Sequence, residues 1–225
     1  MVLVDSGVYK ENITIGDKQI IVASNMYTTG DANYIDATII DSSIVIISNN
    51  HNSVFNGFTI RNSASNGVRI SYSSTTIKNL KILNNQSSGL YISNSNCDIQ
   101  NITVAGNSKS VGQTVPGGAG ICLISDNSNF INTNVLENTI TGTANSSGNG
   151  GGIYMSSSST NFDLIYVESN NADYRGGGVY IVTSAPTFTN FVIKDNHTQE
   201  RSMSRGGGGL HFANGSNATF TNGLI

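Results

Sequence analysis

Apolar residues recur at regular intervals along the chain and alternate with polar ones. Seven similar units each open on an apolar residue, at Phe55, Ile77, Ile99, Phe130, Phe162, Phe188 and Phe220. A β-branched residue follows five positions later in every unit, at Ile60, Ile82, Val104, Val135, Val167, Ile193 and Ile225. Such alternation predicts short strands with one buried face. Because the units leave no room for helices between their strands, the pattern predicts an all-β repeat.

Glycine and asparagine occupy further fixed positions in the repeat. A glycine lies ten or eleven positions before each following opening residue, at Gly67, Gly89, Gly120, Gly152, Gly178 and Gly209. Asparagine recurs two positions after most opening residues, and eight positions after five of them at Asn85, Asn107, Asn138, Asn170 and Asn196. If the coils stack at roughly 4.8 Å, residues at equivalent positions of the repeat form a column, and each column becomes a ladder along a solenoid. Asparagine suits the turns of such a stack, and glycine permits close approach where a loop re-enters it.

The composition narrows the range of functions. Only 11% of the 225 residues are charged, and the net charge is -3 with 11 Lys plus Arg, which argues against a nucleic-acid-binding protein. The chain has no run of about 18 apolar residues, so no membrane-spanning helix is predicted. Two cysteines are too few for a disulfide framework. A single domain of residues 1–225 is predicted. Since the strand pattern starts at once and stops in mid-unit, we expect it to be a segment of a longer protein.

Several stretches resemble those of a known fold family. The sequence "GVYKENITI" followed by "GDKQIIVAS" is similar to the first coil of the pectate-lyase-like superfamily, and "FNGFTIRNS" is similar to its early repeats. The resemblance covers almost all of residues 2–225 and implies a right-handed parallel β-helix of about eight to nine coils. The repeated "GGGIY" and "FTN" units also resemble surface β-helices, which implies an extracellular or cell-surface location. The fold does not fix the function, because it carries lyases, hydrolases, epimerases, adhesins and spacers.

All long insertions fall in one turn of the repeat, at residues 108–119, 139–151, 171–177 and 197–208. Successive loops from one turn form a wall beside a sheet, which is how solenoids usually build a groove. The residues two after each repeat glycine are predicted to point outward there, at Arg69, Tyr91, Cys122, Tyr154, Tyr180 and His211.

Four members of this column are predicted to bind substrate: Tyr91, Tyr154, Tyr180 and His211. Flat aromatic faces with polar tips suit stacking on sugar rings. In that case, replacing Tyr154 and Tyr180 together by alanine abolishes glycan retention. The alternative is that the rings only stack on one another and stabilise the sheet.

Charged residues gather near the same turn. Candidate catalytic residues are Glu137, Glu168, Lys194, Arg175 and Arg205, with Asp173 and Asp195 as further substrate-binding candidates. A lyase needs a base and a cation or Ca²⁺ to neutralise a uronate, and a hydrolase needs two carboxyl groups about 5–9 Å apart, as Glu137 and Glu168 could be. The alternative is that Glu168 and Lys194 form an ordinary cross-strand ion pair. The three histidines lie on different coils or at different positions of the repeat, so no metal site and no cofactor are predicted. Ca²⁺ is implied only if the protein is a lyase.

Three functions remain open at this stage. The favoured one is a non-catalytic β-helix, secreted or on the cell surface, that binds a polysaccharide or a glycan surface in the manner of an adhesin. The second is a polysaccharide lyase or glycoside hydrolase acting at the loop-lined corner. The third is a rigid spacer or fibre unit, since open coil ends expose strand edges that favour end-to-end self-association.

Overall fold

The chain forms a parallel β-helix, as its repeat pattern predicts. A computed structural model describes residues 1–49, 51–112, 116–142, 148–199 and 206–225. Sheet A stacks β1 (Val2–Val4), β4 (Ile21–Ser24), β7 (His51–Arg61), β9 (Ser74–Leu83), β11 (Asp98–Ala105), β14 (Asn129–Leu136), β17 (Asn161–Glu168), β20 (Thr187–Lys194) and β23 (Thr219–Leu224). Two further strands, β2 (Gly7–Tyr9) and β5 (Thr38–Asp41), join this sheet beside β7.

Sheet B faces sheet A across the core. It stacks β3 (Ile13–Ile15), β6 (Val45–Ser48), β8 (Val68–Ser71), β10 (Leu90–Ser93), β13 (Ile121–Ile124), β16 (Ile153–Ser156), β19 (Val179–Val182) and β22 (Leu210–Ala213). Its eight strands, against nine along the path of sheet A, give the predicted eight to nine coils.

The opening residues of the repeats lie in register and form the centre of the core. Phe130 pairs with Phe162, and Phe162 with Phe188. Their ring centroids are 4.9 and 4.7 Å apart, and Phe220 continues the stack at 5.0 Å. Stacked rings at rung spacing bury a large apolar area and add a favourable ring contact at each step. The sequence period therefore becomes the axial spacing of the core.

The inner asparagine column forms a continuous hydrogen-bonded ladder inside the stack. Its members are buried in the turns that follow the sheet A strands: Asn85, Asn107, Asn138, Asn170 and Asn196. From Asn85 to Asn170, each side-chain amide donates to the next asparagine at 2.9 Å. The repeat glycines lie against this ladder: a Cβ on Gly89 would come within 2.6 Å of Asn107 Nδ2. This packing explains why glycine recurs at that position.

The loop insertions form a third sheet, which the sequence did not predict. Sheet C stacks β12 (Ser108–Val111), β15 (Thr139–Gly142), β18 (Asn171–Ala172) and β21 (His197–Thr198). A second apolar cluster of Val111, Ala119, Ile140 and Ala172 packs beneath it. The described parts of the loops therefore form a lobe along the corner between sheets A and B.

Two short helices interrupt the strands near the N-terminus. They are α1 (Met26–Thr29) and α2 (Asn33–Ala37), separated by Gly30 at φ 74°. The carbonyl of Ile35 accepts from Thr59 Oγ1 at 2.8 Å, and Asp36 pairs with Lys81. The helices thus cover the outer side of sheet A. Within the described ranges, neither helix nor any other is long and apolar enough to cross a membrane.

Asp126 places a buried carboxyl group in a turn where the neighbouring coils have Ser95 and Ser158. It accepts from Ser128 Oγ at 2.7 Å and from Thr160 Oγ1 at 2.9 Å. Burial raises the pKa of Asp126 above its ordinary value, against the effect of these hydrogen bonds. The folded state then holds the proton more tightly than the unfolded state, so this group lowers stability as pH rises through its folded pKa.

We therefore expect Asp126→Asn to alter the pH dependence of unfolding. The difference in free energy of unfolding, variant minus wild type, rises between pH 3 and pH 7, because only the wild type has a carboxyl group to ionise at position 126. Urea unfolding at several pH values measures this difference. A constant difference across the range would show that the Asp126 carboxyl group has the same pKa in both states.

Candidate functional site

The outward column on sheet B is in register, as predicted. Paired positions run through Arg69, Tyr91, Cys122, Tyr154, Tyr180 and His211. The Tyr154 and Tyr180 rings stack with centroids 5.4 Å apart, and Tyr180 stacks on His211 at 5.3 Å. The rings therefore contact one another, which is what the structural alternative required.

Loops cover the C-terminal part of this column, which begins at Cys122. Tyr180 is only 8% exposed and Cys122 is fully buried, so the prediction of an exposed column is wrong at these two positions. The physical reason is that the glycine-rich returns of the insertions pack closely against the column. A Cβ on Gly117 would be 2.7 Å from Tyr154 Cδ2, one on Gly118 would be 3.0 Å from Cys122 Cα, and one on Gly176 would be 2.9 Å from Tyr180 Cβ. Burial accordingly raises the pKa of Tyr154.

A buried lysine anchors the first of these loops. Lys109 lies in β12, and its Nζ donates to Ser88 Oγ at 3.0 Å and to the Gly117 carbonyl at 2.8 Å. Ser88 Oγ donates in turn to the Gly118 carbonyl at 2.6 Å, and burial lowers the pKa of Lys109. Lys109 is not among the site residues that the sequence predicted. Aligning the insertions would have shown it, because Lys109 pairs with Ile140 on the inward face of sheet C.

The N-terminal part of the column, at Arg69 and Tyr91, is open to solvent. Between sheets A and B the chain here makes only short turns, at residues 62–67 and 84–89, so no long loop folds back. Ile46, Arg69 and Tyr91 lie in register on this part of sheet B, and we name them the open platform. Arg69 is exposed, Ile46 and Tyr91 are partly exposed, and the Arg69 guanidinium carbon lies 5.7 Å from the Tyr91 ring centroid.

Four candidate residues lie at the carboxyl end of sheet A. Lys194 pairs with Glu168 at 2.9 Å and lies 5.4 Å from the Tyr166 ring centroid. Hydrogen bonding to Tyr166 and then to Glu168 raises the pKa of Lys194. Glu137 and Asp195 are exposed at the following turn position, with φ 55° and 54°. The ion-pair alternative for Glu168 and Lys194 is what the structure shows.

The remaining charged candidates lie on the loop between β18 and β19. Asp173 Oδ2 accepts from the Gly142 backbone N–H at 2.9 Å. Arg175 packs on the Tyr174 ring at 4.6 Å and donates to its hydroxyl at 3.2 Å. Burial, and then the charge of Arg175, lowers the pKa of His211.

The predicted site residues therefore fall into two groups on different sheets. The carboxylates Glu137 and Glu168 lie at the carboxyl end of sheet A, whereas Arg175 lies with the aromatic column of sheet B. Arg205 is outside the described residues. Within the described part of the chain, no three His, Cys, Asp or Glu side chains are placed to share a metal ion. The catalytic roles, and Ca²⁺ for a lyase, stay predictions.

Solved structures with the same fold include pectin methylesterases. One from Yersinia enterocolitica is 14% identical, with 96% of this chain and 84% of that chain covered at a TM-score of 0.52. One from Erwinia chrysanthemi is 11% identical, covering 96% and 79% at 0.52, and one in complex with hexasaccharide VII is 10% identical, covering 93% and 70% at 0.53. At these identities the likeness concerns the fold.

No curated protein matches the chain in sequence, but a protein family does. Residues 42–225 match the family described as "Right handed beta helix region", which is most of the chain. Together with the stacked parallel sheets, this match confirms the predicted right-handed coil. The chain therefore belongs to the right handed beta helix family.

Proposed function

We propose that the protein binds an acidic polysaccharide on the outer face of sheet B, at the open platform, without cleaving it. The observation that carries this proposal is the exposed Arg69 guanidinium beside the partly exposed Tyr91 ring. Arginine donates two parallel hydrogen bonds to a carboxylate, and a tyrosine ring offers a flat apolar face to a sugar. Both groups project from the same sheet on neighbouring coils.

The surroundings of the platform favour an extended ligand. Sheet B presents successive coils at roughly 4.8 Å, a spacing comparable to the length of one sugar unit in an extended chain. The lobe of sheet C begins directly above Tyr91 and closes one end of the face. A polysaccharide can therefore lie over Ile46 and Tyr91 with a carboxylate at Arg69.

The structural neighbours support the same class of ligand. They are named pectin methylesterases, and one was solved with a hexasaccharide. Binding without cleavage is favoured because Lys194 already pairs with the Glu168 carboxylate, and the candidate catalytic carboxylates Glu137 and Glu168 lie at the carboxyl end of sheet A rather than beside the platform. A polysaccharide ligand is consistent with an extracellular or cell-surface location, which we propose with it.

The proposal predicts a specific loss of binding. In affinity electrophoresis through polygalacturonate, we expect Tyr91→Ala to bind about tenfold more weakly, corresponding to about 1.4 kcal/mol. Arg69→Gln is expected to lose the preference for polygalacturonate over a neutral xylan, because the change removes the cation.

The matched control is Tyr27→Ala, which removes an exposed tyrosine from α1, on the side of sheet A. This variant should migrate like the wild type. Retention that survives both Tyr91→Ala and Arg69→Gln, with folding verified by circular dichroism, would contradict binding at the open platform.

A further inference from the structure

A second groove runs along the turn that follows sheet B. It has a volume of about 500 Å³ and extends across four coils, from Asn49 to Asn127. One side is the column of Asn49, Tyr72, Asn94 and Ser125, and the other includes His51, Ser74, Asn96 and Asn127. Buried Ser73 and Ser95 lie between the two sides. We name this the turn groove.

Tyr72 shares the backbone conformation of its column but departs from it in side-chain chemistry. The column needs left-handed backbone angles, with φ 48° at Asn49, 49° at Asn94 and 51° at Ser125. Asparagine tolerates this region, whereas a bulky residue there is a strained outlier. Tyr72 nevertheless adopts φ 51°, and its side chain is 60% exposed. Other turns of the stack also hold left-handed residues, so what sets Tyr72 apart is the large ring left exposed there; backbone strain that no burial offsets is one mark of functional positions.

The lining of the turn groove defines the ligand chemistry. Exposed side-chain amides come from Asn94, Asn96 and Asn127, and a hydroxyl comes from Ser74, which hydrogen-bonds His51 Nδ1 at 2.8 Å. None of the described lining residues is Asp, Glu, Lys or Arg. Amides both donate and accept, so they match ligand hydroxyl groups but offer no ion pair. One exposed aromatic face among such groups suits a sugar ring.

We propose that the turn groove binds a neutral, hydroxyl-rich oligosaccharide, with Tyr72 as its stacking platform. The ligand runs along the helix axis, because the amides repeat from coil to coil in that direction at the strand spacing. The groove lies beyond the carboxyl ends of the sheet B strands and has its own lining residues. The proposal therefore does not depend on acidic polysaccharide binding at Arg69 and Tyr91.

Substitutions at Tyr72 separate binding from folding. Isothermal titration with xylohexaose, cellohexaose and mannohexaose should show binding of at least one to the wild type. We expect Tyr72→Phe to keep the affinity within about threefold and Tyr72→Asn to weaken it at least tenfold. Because asparagine tolerates φ 51°, Tyr72→Asn should also raise the Tm, so its loss of binding cannot come from unfolding.

Two further results complete the test. Tyr91→Ala should leave neutral oligosaccharide binding unchanged, and Tyr72→Asn should leave polygalacturonate binding unchanged, which distinguishes failure of one site from failure of the other. The proposal is overturned if none of the three oligosaccharides binds the wild type, or if Tyr72→Asn binds as well as Tyr72→Phe does.

Discussion

Replacing Asn170 by alanine is expected to lower the free energy of unfolding by about 3–5 kcal/mol, because several buried polar groups lose their partners at about 1–3 kcal/mol each. Asn170 Oδ1 accepts from the backbone N–H and the Nδ2 of Asn138, at 3.0 and 2.9 Å. Its Nδ2 donates to the Val135 carbonyl at 2.9 Å and to Asn196 Oδ1 at 2.9 Å. Denaturant unfolding measures the loss.

A control for this change exists in the outer asparagine column. Asn132 also continues a ladder, donating to Asn101 Oδ1 at 3.0 Å, but both residues are exposed. Asn132→Ala should cost only about 1 kcal/mol, mainly because alanine adopts the left-handed φ of 54° less readily. Equal losses for Asn132→Ala and Asn170→Ala would show that burial of the inner ladder contributes nothing beyond the turn conformation.

Gly152→Ala is expected to destabilise the stack by about 2–4 kcal/mol, as overpacking against rigid groups does. The new Cβ would lie 2.6 Å from the Gly178 carbonyl oxygen and 3.0 Å from Asn170 Cγ. The Gly178 carbonyl is fixed by the Ile153 backbone N–H at 2.8 Å. Neither neighbour can yield without breaking hydrogen bonds between the coils.

Gly112 provides the matched glycine. Among the described residues, a Cβ at this position would meet no atom within 4 Å. Gly112→Ala should therefore leave the Tm unchanged or raise it slightly, since it reduces the freedom of the unfolded chain. Should Gly152→Ala unfold at the same temperature as Gly112→Ala, the glycine column would not be required by close packing.

The coiled core could be predicted from the sequence because every coil repeats it. The phenylalanine stack, the inner asparagine ladder and the glycine column follow from one alignment, since parallel pairing converts a sequence position into a fixed height and face. The outward direction of Tyr154 and Tyr180 follows in the same way. Their covering does not, because it depends on how far each loop folds back, and the loops share no common length.

The candidate site could be predicted only in part for the same reason. The repeat predicts that Arg69 and Tyr91 lie in register. The exposure of the platform to solvent depends on where the long loops lie, and the repeat does not determine their positions. Lys109 and Tyr72 break the pattern of their columns, an inward lysine in one case and a left-handed tyrosine in the other. An alignment of the columns can expose such exceptions, but what each side chain contacts follows only once the columns have been located in space.

The most direct measurement is to incubate the purified protein with partly methyl-esterified pectin and polygalacturonate, and to follow in one mixture the bound protein and the products. Reducing ends, unsaturated uronates and methanol report hydrolysis, lyase cleavage and ester hydrolysis. We expect saturable binding that depends on Tyr91, with no product above the buffer control. Product release that disappears in Glu168→Gln or Lys194→Ala would contradict this account and make the carboxyl end of sheet A a catalytic site.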